Sequence, residues 1–289
     1  MMLVDNATQG LHDLMLAAVS DNSTQGLHNL TILLRDHPEI VNTCCTFPLF
    51  PEPGGPALFP TPQPPIFWAL SDYHYDFEWT ASRVSILLNH GAELNVLHGN
   101  GHSTPLYVLL TGIRSEDDPS HLITIAWFMI HWGADPNYRA DVCPTLCDII
   151  LGISGFDSAE FIESLLELGF NPNAVGRSGL TALMIAVVDM SHHDTVEVLL
   201  RHGADPLMPN EPRTEEDYPD DGTAMEEDYP DDVTAIELAC AIGSLRCVEL
   251  CFDYDYRIRR RIPEFLSVAC SACQVDVIFF WVTKITISM

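Results

Sequence analysis

Lysine occurs once in this 289-residue chain, at Lys284. Lys and Arg together number 13 against 41 Asp and Glu, for a formal charge of −28. A nucleic-acid binder needs a basic footprint to displace counterions from phosphates, and an anionic-lipid binder needs a basic patch; both run against this charge. Long hydrophobic runs are also missing. None approaches about 18 residues, so no transmembrane helix is expected. The best candidate, Val275 to Val282, is short and carries Asp276. The opening Met1-Met2-Leu3-Val4-Asp5 has no positive n-region and no apolar h-region, so no secretory signal is expected. No Gly-rich phosphate loop follows a strand, and no Gly-x-Ser-x-Gly elbow occurs. The scattered Ser, His and Asp do not make a triad, which geometry alone defines.

Apolar material is abundant, at 47% of residues, so the acidity is not that of a disordered polyanion. The length allows one large or two ordinary domains. Nine cysteines, an odd number without secretory context, read as reduced thiols and a cytoplasmic or nuclear location.

Two segments break the composition. Pro48 to Pro65 holds eight prolines in 18 residues, with no Lys or Arg between Arg35 and Arg83. Its PxxP spacings lack the cation that usually flanks an SH3 ligand, so it reads as a spacer insert over 48–65. Glu211 to Asp232 carries eleven acids and one base, Arg213. Within it, Glu215-Glu216-Asp217-Tyr218-Pro219-Asp220-Asp221 recurs eleven residues later as Glu226-Glu227-Asp228-Tyr229-Pro230-Asp231-Asp232. A duplication of this kind suits a surface loop, because added loop length costs little closure entropy. Neither copy has the ligand spacing or central Gly of a calcium loop.

Between these breaks a pattern repeats. Val84/Leu87/Leu88, Ala126/Met129/Ile130, Ile162/Leu165/Leu166 and Val196/Leu199/Leu200 each form an i, i+3, i+4 stripe. Each stripe is followed three residues later by a glycine, at Gly91, Gly133, Gly169 and Gly203. Glycine there suits a left-handed C-cap, and the Asp/Asn-Pro that follows three of the four ends the helix. Thr104-Pro105-Leu106, Thr181-Ala182-Leu183 and Thr234-Ala235-Ile236 open other helices, with Thr as N-cap and Pro at the first turn.

The chain resembles the ankyrin repeat, whose consensus opens its first helix with Thr-Pro-Leu-His and closes its second with Gly-Ala-Asp-x-Asn. The resemblance implies an all-α solenoid of helix-turn-helix units with β-turn connections. Degenerate copies extend it: Leu14/Leu16/Ala17 with Leu30/Leu33/Leu34, Ile66/Trp68/Ala69, Leu146–Ile149, and Leu266/Val268/Ala269 with Val277/Phe280/Trp281. The last slot of each first helix falls at 17, 69, 109, 149, 186, 239 and 269. Removing the two inserts brings both outlying intervals near the family period of about 33. One array of seven repeats is therefore expected over 1–289, roughly 9–43, 64–97, 102–138, 142–174, 179–208, 233–256 and 262–287. The consensus His is replaced by Met15, Phe67, Tyr107, Cys147, Met184, Glu237 and Ser267, which predicts a less regular array. The sixth repeat has Tyr254-Asp255 where its glycine turn would stand.

Chemical readings stay beside this one. Cys270-x-x-Cys273 with Cys240, Cys247 and Cys251 is either a zinc site or buried thiol packing, and the helix positions of Cys240, Cys247, Cys251 and Cys270 favour packing for the group. Cys143 and Cys147 straddle a helix start. His192-His193, near Asp189 and Asp194, reads as a loop between helices, while His90 and His202 favour helix C-termini. Arg257, Arg259, Arg260 and Arg261 form a nuclear-localisation patch, a partner for the acidic insert, or a solvated connector.

The resemblance implies a protein-interaction scaffold that is not an enzyme and needs no cofactor or metal. A partner protein with a basic surface would meet the turn tips, including His98, Asn100, Tyr138, Arg139, Asp141 and Arg177. No nucleic acid, no membrane and a monomer are expected. Two alternatives remain: an adaptor or inhibitor whose acidic loop 211–232 is itself the ligand, and an enzyme with a cysteine or zinc site.

Overall fold

The computed structural model describes residues 14–15, 17–19, 21, 23–43, 63–71, 77–97, 103–111, 119–138, 159–176, 178–188, 193–211 and 230–288. They belong to two compact units, 1–143 and 144–289. The fold is all-α. Among the described residues the extended contacts are two isolated antiparallel bridges, Val175–Thr181 and Pro209–Thr234.

In the first unit the helices are α1 (Thr24–Asp36), α2 (Pro65–Ser71), α3 (Phe77–Asn89), α4 (Pro105–Thr111) and α5 (Pro119–His131). Helix α2 packs on α3 and on α4, α4 packs on α5, and α1 packs on α3. Ser23 caps α1, its hydroxyl accepting from the Gly26 N–H at 3.1 Å. Leu30 and Leu34 face inward from α1, and Val84, Leu87 and Leu88 from α3. Each such side chain contributes about 1.5–3 kcal/mol by leaving water. Arg83 is buried among them and donates to the Val19 carbonyl at 2.6 Å.

Pro65 was expected to close the spacer; instead it is the first residue of α2, and Gln63 and Pro64 are buried beside it. The reason is local. Proline has no N–H to lose at the first helical position, and its φ already matches the helix.

The second unit holds α6 (Ala159–Glu167), α7 (Ala182–Val188), α8 (His193–Arg201), α9 (Ala235–Ile242), α10 (Leu245–Tyr254), a 3-10 turn (Tyr256–Arg260), α11 (Ile262–Ser271) and α12 (Val275–Ser288). Two layers result. Helices α7, α9 and α11 pack in sequence as one layer, and α6, α8, α10 and α12 as the other. Within each repeat the two helices pair, α7 with α8, α9 with α10, α11 with α12. Helix α7 is buried from Ala182 to Val187, packed on α9 within its layer and on its own α8 beneath.

Three threonines cap first helices as their sequences imply. Thr104 Oγ1 accepts from Tyr107 N–H at 3.2 Å, Thr181 from Met184 at 3.3 Å, and Thr234 from Glu237 at 3.4 Å. Thr234 adds a full capping box, since Glu237 Oε2 accepts from the Thr234 N–H at 2.9 Å. Three occupants of the consensus His slot, Met15, Phe67 and Met184, are fully buried, so packing holds those positions. Glu237 instead reaches Arg261 of the next repeat at 3.8 Å.

The far end of this unit closes around Trp281. Its ring sits 5.8 Å from Phe252, 5.8 Å from Phe265 and 4.9 Å from Phe280, and its indole N–H donates to Cys240 Sγ at 3.4 Å.

Candidate interaction surface

The repeat glycines create the turns. Gly91, Gly133, Gly169 and Gly203 have φ of 88°, 101°, 96° and 89°, the left-handed region that a Cβ disfavours. Around each, two backbone bonds close the preceding helix. At Gly203, for example, its own N–H donates to Leu200 C=O at 3.1 Å and the Ala204 N–H to Leu199 C=O at 3.0 Å. This is the Schellman arrangement, which satisfies the orphan carbonyls of the last turn. Two residues past the glycine an Asp or Asn then turns the chain. Asp135, Asn171 and Asp205 each accept, through Oδ1, the N–H two residues on, all at 2.9 Å.

Asparagines latch one turn to the next. Asn42 Nδ2 donates to Gly91 C=O at 3.0 Å, while its Oδ1 accepts the Glu93 N–H at 2.8 Å. Asn95 makes the same pair with Gly133 and Asp135, both at 2.9 Å. Asn173 makes it with Gly203 at 2.9 Å and Asp205 at 2.7 Å. The carboxamide matches this task because it offers a donor and an acceptor side by side.

The sixth repeat solves its missing glycine with charge. Helix α10 ends at Asp255 in extended conformation, and the Asp255 carboxylate accepts from Arg257 N–H at 2.8 Å and from Arg257 Nε at 2.9 and 3.0 Å. Arg257 Nη2 also reaches Asp205 at 2.6 Å, so the guanidinium spans the two turns as an asparagine does elsewhere. Burial would raise the Asp255 carboxyl, but the side-chain and backbone hydrogen bonds from Arg257, with its charge, hold it below the ordinary value. The same two carboxylates raise Arg257.

Within the arginine run, Arg257, Arg259 and Arg261 have internal partners, while Arg260 is exposed. Arg257 pairs with Asp205 and Asp255, which lie outside the acidic insert. Arg261 pairs with Glu264 at 2.7 Å, and Arg259 lies over the Phe252 ring at 5.4 Å. Elsewhere in the unit Arg201 meets Glu163 at 2.7 Å, and Arg246 meets Glu197 at 3.8 Å. Glu160, Glu167, Asp194 and Asp253 stand exposed with no ion pair among the described residues.

Of the expected tip residues, Tyr138 is half-exposed, with its N–H donating to Asp135 C=O at 3.2 Å. His98, Asn100, Arg139, Asp141 and Arg177 lie outside the described residues, as do His192, Cys143 and Cys147. His193 is the first residue of α8, with Nε2 3.4 Å from Ser244 Oγ. The acidic insert is described only at its base. Asn210 N–H donates to Val233 C=O at 2.9 Å, its Oδ1 accepts the Val233 N–H at 2.7 Å, and its Nδ2 donates to Pro230 C=O at 3.2 Å.

Two features escaped the sequence. Asn95 and Asn173 stand at the Asn of the consensus turn while Asn42 follows no repeat glycine, and the partners of all three lie 30 to 51 residues away. Trp127, 55% exposed, stacks on His131 at 5.3 Å, and Trp132 is exposed one turn on. Trp127 falls between the stripe positions Ala126 and Met129, which was the available signal.

The thiols divide. Cys240, Cys247 and Cys251 are buried. Burial pushes Cys240 up to about 12, and raises Cys247 and Cys251. Cys270, expected to pack inside, is exposed, as is Cys273. Cys270 lies on a face of α11 that no described helix covers. Among the described residues no three His, Cys, Asp or Glu side chains gather as a metal site, and no helix is long and apolar enough to cross a membrane.

The ankyrin repeat family model matches residues 178–211. Two relatives are similar over 125 residues at 30% identity: ankyrin repeat and SOCS box protein 6 of Homo sapiens and that of Pongo abelii. The alignment covers 42% of this chain and 28% of each relative.

Proposed function

We propose that this ankyrin-repeat protein is a non-enzymatic scaffold that binds a partner protein through its turn tips and first helices. The observation that carries the reading is the latch. Each asparagine fixes the next turn through two backbone groups, so neighbouring tips are held in register before any partner arrives. A preorganised surface loses little entropy on binding. The exposed carboxylates, beside the ion pairs that Arg201, Arg246, Arg257 and Arg261 make within the second unit, favour a partner with a basic face, and a salt-dependent on-rate follows from that. Our reading also takes the chain as one continuous array, monomeric, in the cytoplasm or nucleus.

The test is affinity capture with the full chain, in parallel with a Tyr138→Ala, Arg139→Ala double variant. Loss of the partner from the variant supports the tip face. An unchanged capture profile removes it. A second reading makes the acidic loop the ligand. Asn210 favours it, because its carboxamide joins the two described ends of the insert, at Pro230 and Val233. Deleting Glu215 to Met225 removes one copy. Under the second reading that deletion weakens binding of an arginine-rich probe peptide; under the scaffold reading it leaves partner capture unchanged.

A further inference from the structure

Among the described cysteines, Cys270 and Cys273 alone are exposed. They bracket the C-terminal turn of α11. The Cys273 N–H donates to Cys270 C=O at 3.1 Å, and the Gln274 N–H to Ala269 C=O at 2.9 Å. A turn closed in this way holds its end Cα atoms within about 7 Å. A disulfide spans Cα separations of about 4.4–6.8 Å, so the backbone already stands in the bridging range.

Cys273 also occupies a glycine's place. It lies four residues after Ala269, as Gly243 lies four after Ala239 in the preceding repeat. Gly243 has φ 88° and Cys273 has φ 58°. Among the described residues only Asp232 shares this left-handed conformation without being glycine. A side chain there is strained, so the fold alone does not select cysteine at this position. The turn is tied to its neighbour as well. Gln274 Nε2 donates to Ala241 C=O at 2.9 Å, across the end of α9. A Cβ on Gly243 would meet the Gln274 side chain, so this turn and α9 fit closely.

We infer that Cys270 and Cys273 form a thiol–disulfide exchange site whose substrate is a small-molecule disulfide of the oxidised-glutathione class. One cysteine thiolate attacks a sulfur of the small disulfide, forms a mixed disulfide and releases the first small thiolate. The second cysteine thiolate then attacks the protein sulfur of that mixed disulfide. The Cys270–Cys273 bond forms and the second small thiolate leaves. The protein dithiol gives up two electrons to the small disulfide, and the two thiol protons end on the two small thiols. The buried Cys240, Cys247 and Cys251 take no part, since burial disfavours their thiolates.

The experiment uses the reduced full chain with oxidised glutathione, quenched by an alkylating reagent after unfolding and digested with trypsin. The peptide Ile262–Lys284 contains these two cysteines and no others, and Thr214–Arg246 contains Cys240 alone. The expected product is Ile262–Lys284 lighter by two hydrogens and free of alkyl groups, with Cys240 still fully alkylated. A doubly alkylated Ile262–Lys284, or one that stops as a glutathione adduct, overturns the inference. Cys273→Gly restores the ordinary residue of the slot, and its Tm is expected to rise. In that variant Cys270 should hold glutathione as a lasting mixed disulfide. A Cys270 that stays alkylatable there also overturns the proposal.

Discussion

Two connections in the second unit do the same job at different lengths. The short one runs from Val175 to Thr181, and the long one from Pro209 to Thr234. Both are closed by a bridge between their end residues, and both deliver the chain to a threonine N-cap. Equivalent positions carry equivalent roles. Gly176 N–H donates to Leu180 C=O at 2.9 Å, and Asn210 N–H donates to Val233 C=O at 2.9 Å. Gly179 has φ 75°, and its counterpart Asp232 has φ 61°. The two are laced together by Glu211 N–H donating to Gly179 C=O at 2.9 Å. The framework thus specifies the ends of a connection and leaves its length open. The longer loop uses the Asn210 carboxamide, which gathers Val233 and Pro230, where the short loop uses the Ser178 hydroxyl, which accepts from the Leu180 N–H at 3.4 Å.

Substitutions at these ends separate the two connections. Asn210→Ala should have the largest effect. It removes the partner of the Val233 N–H in a part-buried setting, at about 1–3 kcal/mol by urea unfolding. The counterpart of Asn210 in the short connection is the Ser178 hydroxyl, whose bond from the Leu180 N–H is longer, at 3.4 Å against 2.7 Å. Thr234→Ala should cost about 1 kcal/mol or somewhat more, and Thr181→Ala about 1 kcal/mol or less, because Thr234 also loses its Glu237 box. A gap of the opposite sign would break the equivalence of the two caps.

Acid should act next, on the turn beyond the long connection. Asp255 is held below its ordinary value in the folded chain, so its pairing with Arg257 contributes fully above the unfolded carboxyl pKa of about 3.9. That contribution is lost as pH falls through the lower folded value. An Asp255→Asn variant should therefore lose stability near neutral pH and show a shallower decline below about pH 4 than the parent. Deleting Glu215 to Met225 should matter least. Halving the length of a connection changes its closure entropy by about 0.6 kcal/mol, and thermal melts should move by no more than that implies.

Local features of the fold were legible in the residues. Thr104, Thr181 and Thr234 marked helix starts, and Gly91, Gly133, Gly169 and Gly203 marked left-handed turns, because caps and C-termini depend on neighbours a few positions away. The latches were not legible. Asn42 stands 49 residues from Gly91, and Arg257 stands 52 from Asp205, so only the stacking of repeats reveals those pairs. The exposure of Cys270 was hidden for a related reason. Its position in the helix matches that of buried Cys240, and the difference lies in which helix packs beside it. Most of the expected tip residues fall outside the described segments, so the candidate site is legible chiefly through Tyr138 and the turns that carry it.

The latch has a consequence for how such a chain changes over generations. Each asparagine docks on a carbonyl and an N–H of the main chain, which every residue but proline supplies. The receiving repeat contributes only the path of its turn. A unit copied, moved or replaced would therefore find a ready socket wherever that path is kept, and neither neighbour would need a matching substitution.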